Sequence, residues 1–273
     1  MPANDTADPR DRPGIDTSKP HPARMYDWYM GGKDNYPIDE EMGRQLIALE
    51  PRLPVMARVN RAFMHRATRW LANQGIRQFL DIGTGIPTEP NLHQVAQAIA
   101  PDSRIVYCDN DPIVLAHAEA LLRSAPEGVT AYVQADVRDP DTIVRQAGEI
   151  LDLDRPVALS LVALLHFIPD GDGAYELVER LMSELPSGSF LMVSHASADF
   201  TPDTAGQAGD IYRARGVALA LRSREQVTRF FDGLELADPG VVVVPQWRPG
   251  LGEPVPGQDD GPIPGYAAVA RKP

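Results

Sequence analysis

From Gln78 onward, short apolar runs alternate with amphipathic stretches, and nothing else in the sequence restricts the fold so tightly. Seven runs have the length and apolar content of buried strands: Gln78 to Ile82, Arg104 to Cys108, Thr130 to Gln134, Pro156 to Val162, Ser189 to His195, Leu234 to Ala237 and Tyr266 to Arg271. Helix-period stretches separate most of them: Asn91 to Ala100, Pro112 to Arg123, Asp141 to Leu151, Ala174 to Leu185, Ala205 to Val217 and Ser223 to Phe231. Strands joined through helices return in the same direction. The pattern therefore predicts an α/β fold, a doubly wound, mostly parallel seven-stranded sheet with both faces covered. Near the end a Pro/Gly-rich loop, Pro245 to Pro264, stands where a crossover helix would be needed. The last strand is accordingly expected to be antiparallel to its neighbour.

The chain before this sheet reads differently. Residues 1–22 are rich in Pro, Asp and Thr without periodicity, as in a disordered or loosely ordered leader. Ala23 to Tyr29 is an aromatic helical stretch ended by Gly31-Gly32, and Ile38 to Leu49 is a second, stopped by Pro51 and Pro54. Val55 to Asn73 has Met56, Val59, Phe63, Ala67 and Trp70 at helical spacing, with Arg58, Arg61, His65 and Arg69 opposite. The expected division is a leader over 1–22, a helical cap or lid over 23–73 and a main domain over 74–273.

With 273 residues and 43% hydrophobic content, the chain can bury the core such a sheet requires. A formal charge of -12 argues against a nucleic-acid partner, because Lys and Arg neutralising phosphates supply most of that affinity. Cys108 is the single cysteine, so neither an internal disulfide nor a thiolate cluster can form; this suits a cytoplasmic protein without a metal centre. The longest apolar stretch, Val157 to Ile168, is too short and interrupted to span a bilayer, so no membrane partner is expected. Oligomeric state is left open.

In open α/β sheets, ligands sit outside the carboxyl ends of the strands. The first strand ends on Asp81 and breaks into Gly83-Thr84-Gly85, a turn that lets backbone approach a ligand ahead of a helix N-terminus. A carboxylate there favours a ligand with positive charge, such as the ammonium and sulfonium groups of S-adenosylmethionine, and repels a pyrophosphate. Thr88 stands where the dinucleotide fingerprint G-x-G-x-x-G needs its third glycine, which sets NAD-linked oxidoreduction aside. The second strand leads into Asp109, positioned for a ribose diol; the third leads into Asp136 and Val137, positioned for an adenine amino group and ring. Each acid alone reads more readily as a helix cap or solvated loop acid, and the glycines alone as a turn. Their order along three successive strand ends is what favours a nucleoside ligand.

The set FLDIGTG, VYCDND and QADVRD resembles the cofactor motifs of class I S-adenosylmethionine-dependent methyltransferases. Further, MYDWYMGGKDNY, VNRAFMHRA, DIGTGIPT, LRSREQVTRFFDGLEL and GYAAVARKP resemble one branch, the S-adenosyl methyltransferase family long catalogued as a domain of unknown function. The resemblance spans roughly residues 20–273. It implies a Rossmann-like methyltransferase fold with Asp81 and Gly83 near the methionine part of S-adenosyl-L-methionine, Asp109 on the ribose, and Asp136 with Val137 on the adenine. Gly85, Asn110 and Ala163 complete the expected cofactor set. Pro87 departs from the wider superfamily, which often has a third glycine there; proline supplies no N–H and fixes the turn.

His166, just past the fourth strand, is the candidate catalytic base, its alternative being a buried histidine bonded to backbone; His195 carries the same two readings. Aligning donor and acceptor can itself supply much of the acceleration in methyl transfer, so a base need not exist. Tyr26, Tyr29, Arg58 and Arg61 are the substrate or lid candidates, against ordinary helix packing and a solvated basic face. The expected acceptor is a small molecule. Nucleic-acid methylation also lacks its Asn/Asp-Pro-Pro-Tyr motif, the fourth strand here leading into LVALLHF. The competing reading is a non-catalytic S-adenosylmethionine-binding or regulatory protein.

Overall fold

A computed structural model of the chain describes residues 16–121 and 123–273. Five parallel strands, β1 (Gln78–Ile82), β2 (Arg104–Asp109), β3 (Val129–Gln134), β4 (Ala158–Val162) and β5 (Phe190–Ala196), lie in the order β3-β2-β1-β4-β5. The sheet continues through β8 (Gly265–Arg271), antiparallel to β5, and β6 (Glu235–Leu236), antiparallel to β8. The mostly parallel, doubly wound sheet with an antiparallel last strand is thus present. The strand count differs from expectation: β7 (Val242–Val243) is an eighth strand, paired with β8 through Val242↔Ala267 and Val243↔Tyr266. Its signal was the run Val241 to Val244, β-branched but too short to separate from the adjoining loop.

Alternate residues of each strand feed two cores. Phe79, Ile105, Ala158, Met192 and Val269 pack on one face with Val59, Phe63, Ala67 and Leu71 of α3 (Leu53–Asn73) and Leu92 and Ala96 of α4 (Leu92–Gln97). Leu80, Val106, Leu159, Leu191 and Ala270 pack on the other with α6 (Pro140–Ala147), α7 (Ala174–Ser183) and α9 (Arg224–Thr228). Burial on both faces is why the parallel strands read as apolar runs without polar alternation. β1 adjoins both β2 and β4, through Asp81↔Tyr107 and Asp81↔Ser160. The chain order reverses there, and the carboxyl ends of β1 and β4 diverge into a crevice.

The segment expected to form one cap over 23–73 divides. α3 belongs to the sheet core, whereas α1 (Pro22–Tyr29) and α2 (Pro37–Leu49) stand over the strand ends with α8 (Pro202–Ala214), joined by Met25, Met42, Leu46, Ala208, Ile211 and Tyr212. Of the expected leader, 1–15 lies outside the described residues. Its end is tied down: His21 caps α1 by accepting the Ala23 N–H at 3.3 Å, and its own N–H donates to Asp39 Oδ1 at 2.8 Å. α5 (Pro112–Leu121) follows β2.

Candidate active site

A cavity of about 710 Å³ opens at the β1/β4 crevice. Every site residue expected from the sequence lines it except Arg58, which is exposed on α3.

Its first end is the glycine turn. Gly83 and Gly85 adopt φ of +74° and +69°, a left-handed region costly to a residue with a side chain. At Gly83 space also demands glycine, since a Cβ would lie 2.7 Å from Leu164 Cδ1. The turn is clipped to β2: the Gly83 N–H donates to Cys108 O at 2.8 Å and the Gly85 N–H to Asp109 Oδ2 at 2.8 Å. Asp109 Oδ1 accepts the Asp111 N–H at 3.0 Å. Burial raises the pKa of both Asp81 and Asp109, and nearby backbone N–H groups oppose the shift at Asp109. The Thr84 hydroxyl lies 3.1 Å from Asp81 Oδ2.

The helix after this turn is not where its N-terminus could serve a ligand. Pro87 and Pro90 postpone α4 to Leu92, and its first turn is already satisfied by a capping box of Asn91 and Gln94. The expected supply of free N–H groups is therefore absent at α4.

Arg61 takes a different place from the one its helical stripe suggested. It is close enough to Tyr26, Asp81 and Tyr107 to feel their charges, with one Nη donating to Pro90 O at 3.1 Å and a buried Nε that has no partner among the described residues. Burial lowers its pKa. Farther along the crevice, Asp136 accepts from Asn110 Nδ2 at 3.1 Å and from the Arg138 N–H at 2.9 Å. The Val137 side chain is buried in the sheet core.

The other end of the cavity is assembled from distant segments. Ala163, directly after β4, has φ of +55°. Its N–H lies 3.1 Å from Ser194 O and 3.0 Å from Ser194 Oγ. The Ser194 hydroxyl donates to Asn60 Oδ1, Asn60 Nδ2 to the Tyr26 hydroxyl at 3.2 Å, and Tyr26 to Ala57 O at 2.7 Å. A polar chain thus connects α1 and α3 to the ends of β4 and β5.

Two histidines behave differently here. Arg222 Nη1 donates to His195 Nε2 at 2.8 Å, so His195 carries its proton on Nδ1, 2.6 Å from Ala196 O. Burial and then Arg222 push its pKa down to about 3. This imidazole is locked. His166 is also held neutral, burial lowering its pKa well below 6.5 with help from His195 and Arg222. Its ring meets only a weak polar neighbour, the Ala196 N–H 3.5 Å from Nδ1, and it lines the cavity.

A family model described as S-adenosyl methyltransferase matches residues 8–273. The chain belongs to the S-adenosyl methyltransferase family. Its cofactor is S-adenosylmethionine, and it is an S-adenosylmethionine-dependent methyltransferase. A DUF574-family protein of Streptomyces avermitilis is similar over 95% of this chain and all (100%) of its own, at 48% identity and a TM-score of 0.90. A proposed methyltransferase of Thermobifida fusca is similar over 95% of this chain and 97% of its own, at 39% identity and a TM-score of 0.86. No curated protein matches the sequence. No helix among the described residues is long and apolar enough to cross a membrane, and they contain no cluster of three potential metal ligands.

This methyltransferase holds several site residues that sequence reasoning passed over. Arg24, 3% exposed, donates from Nε to Asp111 Oδ2 at 3.0 Å and so fastens α1 to the end of β2. Asn60 could have been noticed as a polar residue inside the amphipathic pattern of α3. Tyr212 carries no local signal, and Arg222, although inside the motif LRSREQVTRFFDGLEL, has its partners elsewhere in the chain.

Proposed function

We propose that S-adenosylmethionine lies along the β1 to β3 ends and that a small-molecule acceptor enters from beneath α1, α2 and α8. The observation that carries this reading is the buried acid Asp81 and the half-buried cation Arg61, whose charges act on each other near the glycine turn; the Arg61 Nε is buried and unpartnered among the described residues. An amino acid's ammonium and carboxylate would satisfy both, which fits the methionine end of the cofactor. The backbone cradle at Gly83 and Gly85, which a Cβ would obstruct at Gly83, fits it as well. Asp109 would take the ribose hydroxyls, with Asn110 beside it, and Asp136 and Val137 the adenine.

When bound, the cofactor supplies an electrophilic methyl group on a sulfonium. The chain's own task is then orientation and exclusion of water. Ala163, fixed by Ser194, shapes the wall between the two ligands. His166, neutral at physiological pH and without a strong partner, is the group available to take a proton from a hydroxyl acceptor. Tyr26 and Tyr29 on α1 form the roof.

Calorimetry with S-adenosylmethionine and S-adenosylhomocysteine tests the first half: a folded protein that binds neither defeats the reading. Transfer of labelled methyl to small molecules of a cell extract tests the second. His166→Gln is expected to lower kcat about 100-fold with cofactor affinity unchanged. An unaltered kcat would leave alignment alone as the source of rate.

A further inference from the structure

The end of the cavity opposite the glycine turn has a composition that restricts what it can hold. From His166 the wall passes to Phe167, ring centroids 4.3 Å apart, and on to Tyr212 at 6.0 Å. Beyond Tyr212 it is closed by Tyr29, Met25 and Leu46. The charged side chains of the cavity are committed elsewhere. Asp81, Asp109, Asp136, Arg138 and Arg61 belong to the cofactor end, Arg24 is bound to Asp111, and Arg215 pairs with Glu41 at 2.6 Å. Asp16 and Lys19 are exposed, and Glu50 is half-buried and accepts the Arg52 N–H. A carboxylate brought against the aromatic wall would lose its hydration without gaining a counter-charge, and an ammonium would recover only the ~0.5–2 kcal/mol of a cation–π contact.

One polar feature interrupts this wall. The buried Tyr29 hydroxyl faces that of Tyr212 without a well-formed hydrogen bond. Tyr212 itself lines the cavity and is half-buried, with Tyr29 packed beside it. A buried hydroxyl lacking a strong partner is best satisfied by another neutral donor or acceptor. The cavity, about 710 Å³, falls within the ~300–1,000 Å³ typical of a ligand site, and cofactor and acceptor would share it.

We propose that the acceptor is an uncharged, ring-bearing apolar molecule with a hydroxyl group, and that Tyr212 selects it. This rests on the assignment of the opposite end to the cofactor. Tyr212 is a specificity residue here, and Tyr29 orients it.

The test uses the full-length protein saturated with S-adenosylhomocysteine and four probes on one frame: naphthalene, naphthol, naphthoate and naphthylmethylamine. Titration calorimetry is expected to show naphthol binding at least ~10-fold more tightly than either charged probe. Tyr212→Phe, which keeps the ring, should weaken naphthol about 5-fold and leave naphthalene unaffected. Should that variant fold poorly, Tyr29→Phe is expected to lower the same naphthol preference by a smaller factor. A charged probe that binds as tightly as naphthol overturns the proposal. So does naphthol failing to bind while S-adenosylhomocysteine binds normally. Loss of S-adenosylhomocysteine binding itself would overturn the cofactor assignment and, with it, this proposal.

Discussion

The two ends of the cavity handle polar groups in opposite ways. At the glycine turn, buried carboxylates are accepted because backbone N–H groups reach them, as Gly85 and Asp111 do at Asp109. At the far end, among the described residues, a single backbone N–H, that of Ala196, approaches His166, and only at 3.5 Å. There, burial keeps His166 and His195 neutral and pushes the Tyr29 and Tyr212 hydroxyls away from ionisation. The difference teaches that charge is sustained at depth where main chain is free to solvate it, and neutrality is imposed where walls are side chains.

The largest effect that would separate the ends comes from the cation behind the neutral one. Arg222, 2% exposed, donates to His195, to Leu165 O at 2.9 Å, to Ile168 O at 2.8 Å and to Asp170. Arg222→Met strands these acceptors and is expected to cost about 3–5 kcal/mol of stability, read from denaturant unfolding. Arg138, the exposed cation at the cofactor end, pairs with Asp136 and Asp172 in solvent, so Arg138→Met should change stability by under about 1 kcal/mol. Equal losses would erase the contrast.

Next in size is the end proposed for the cofactor. Asp109→Ala removes the acceptor of two backbone N–H groups as well as the proposed ribose contact, and S-adenosylhomocysteine affinity should fall by about 1.5–3 kcal/mol. Asp136→Ala, at a more solvated carboxylate, should lose under about 1 kcal/mol. The reverse ranking, by calorimetry, would move the anchoring point from the second strand to the third.

pH should pull the two ends in opposite directions. His195 titrates near 6.5 when unfolded and at about 3 when folded, so its contribution is complete above 6.5 and is lost as pH falls toward 3. Between pH 6.5 and 5 that loss is about 2 kcal/mol, and His166 adds in the same sense. Asp81 and Asp109 have raised folded pKa values, so they favour the folded state on the acid side and penalise it as pH rises. His195→Gln should therefore flatten the acid loss of stability, and Asp81→Asn should steepen it. Parallel slopes in both variants would contradict the assigned charge states.

The same contrast explains what could be read in the sequence. Asp81, the glycines, Asp109 and Asp136 lie in strand-to-helix junctions, where a local string of residues also fixes spatial place. Their convergence followed from the parallel order of β1, β2 and β3. The far end draws on α1, α3, the β4 and β5 ends, α8 and Arg222; short windows hold pairs such as His166 and Phe167, but none brings them to Tyr212 or Arg222. Arg61 shows the limit from another side: its helical stripe was visible, but its neighbour Asp81 is a strand residue that only tertiary packing supplies. Arg58, from the same stripe, points to solvent. β7 escaped notice because a two-residue strand is decided by its partner, β8, and scarcely by its own sequence.

The smallest expected effect carries opposite signs at the two ends. Ala163 and Gly85 share the left-handed conformation, at φ of +55° and +69°. A Cβ in that region costs about 1–2 kcal/mol, while glycine's added freedom when unfolded returns about 0.4–1 kcal/mol. Ala163→Gly should accordingly stabilise the protein by about 0.5–1 kcal/mol. Gly85→Ala should destabilise it by about 1 kcal/mol through the backbone alone, because its nearest neighbour, Ala23 Cβ, would be 3.9 Å away. If the strain at Ala163 serves to hold the wall between cofactor and acceptor, the more stable glycine variant should transfer methyl groups more slowly with S-adenosylhomocysteine affinity intact. A glycine variant that is both less stable and equally active would mean that the Ala163 methyl packs usefully and that its conformation has no part in positioning.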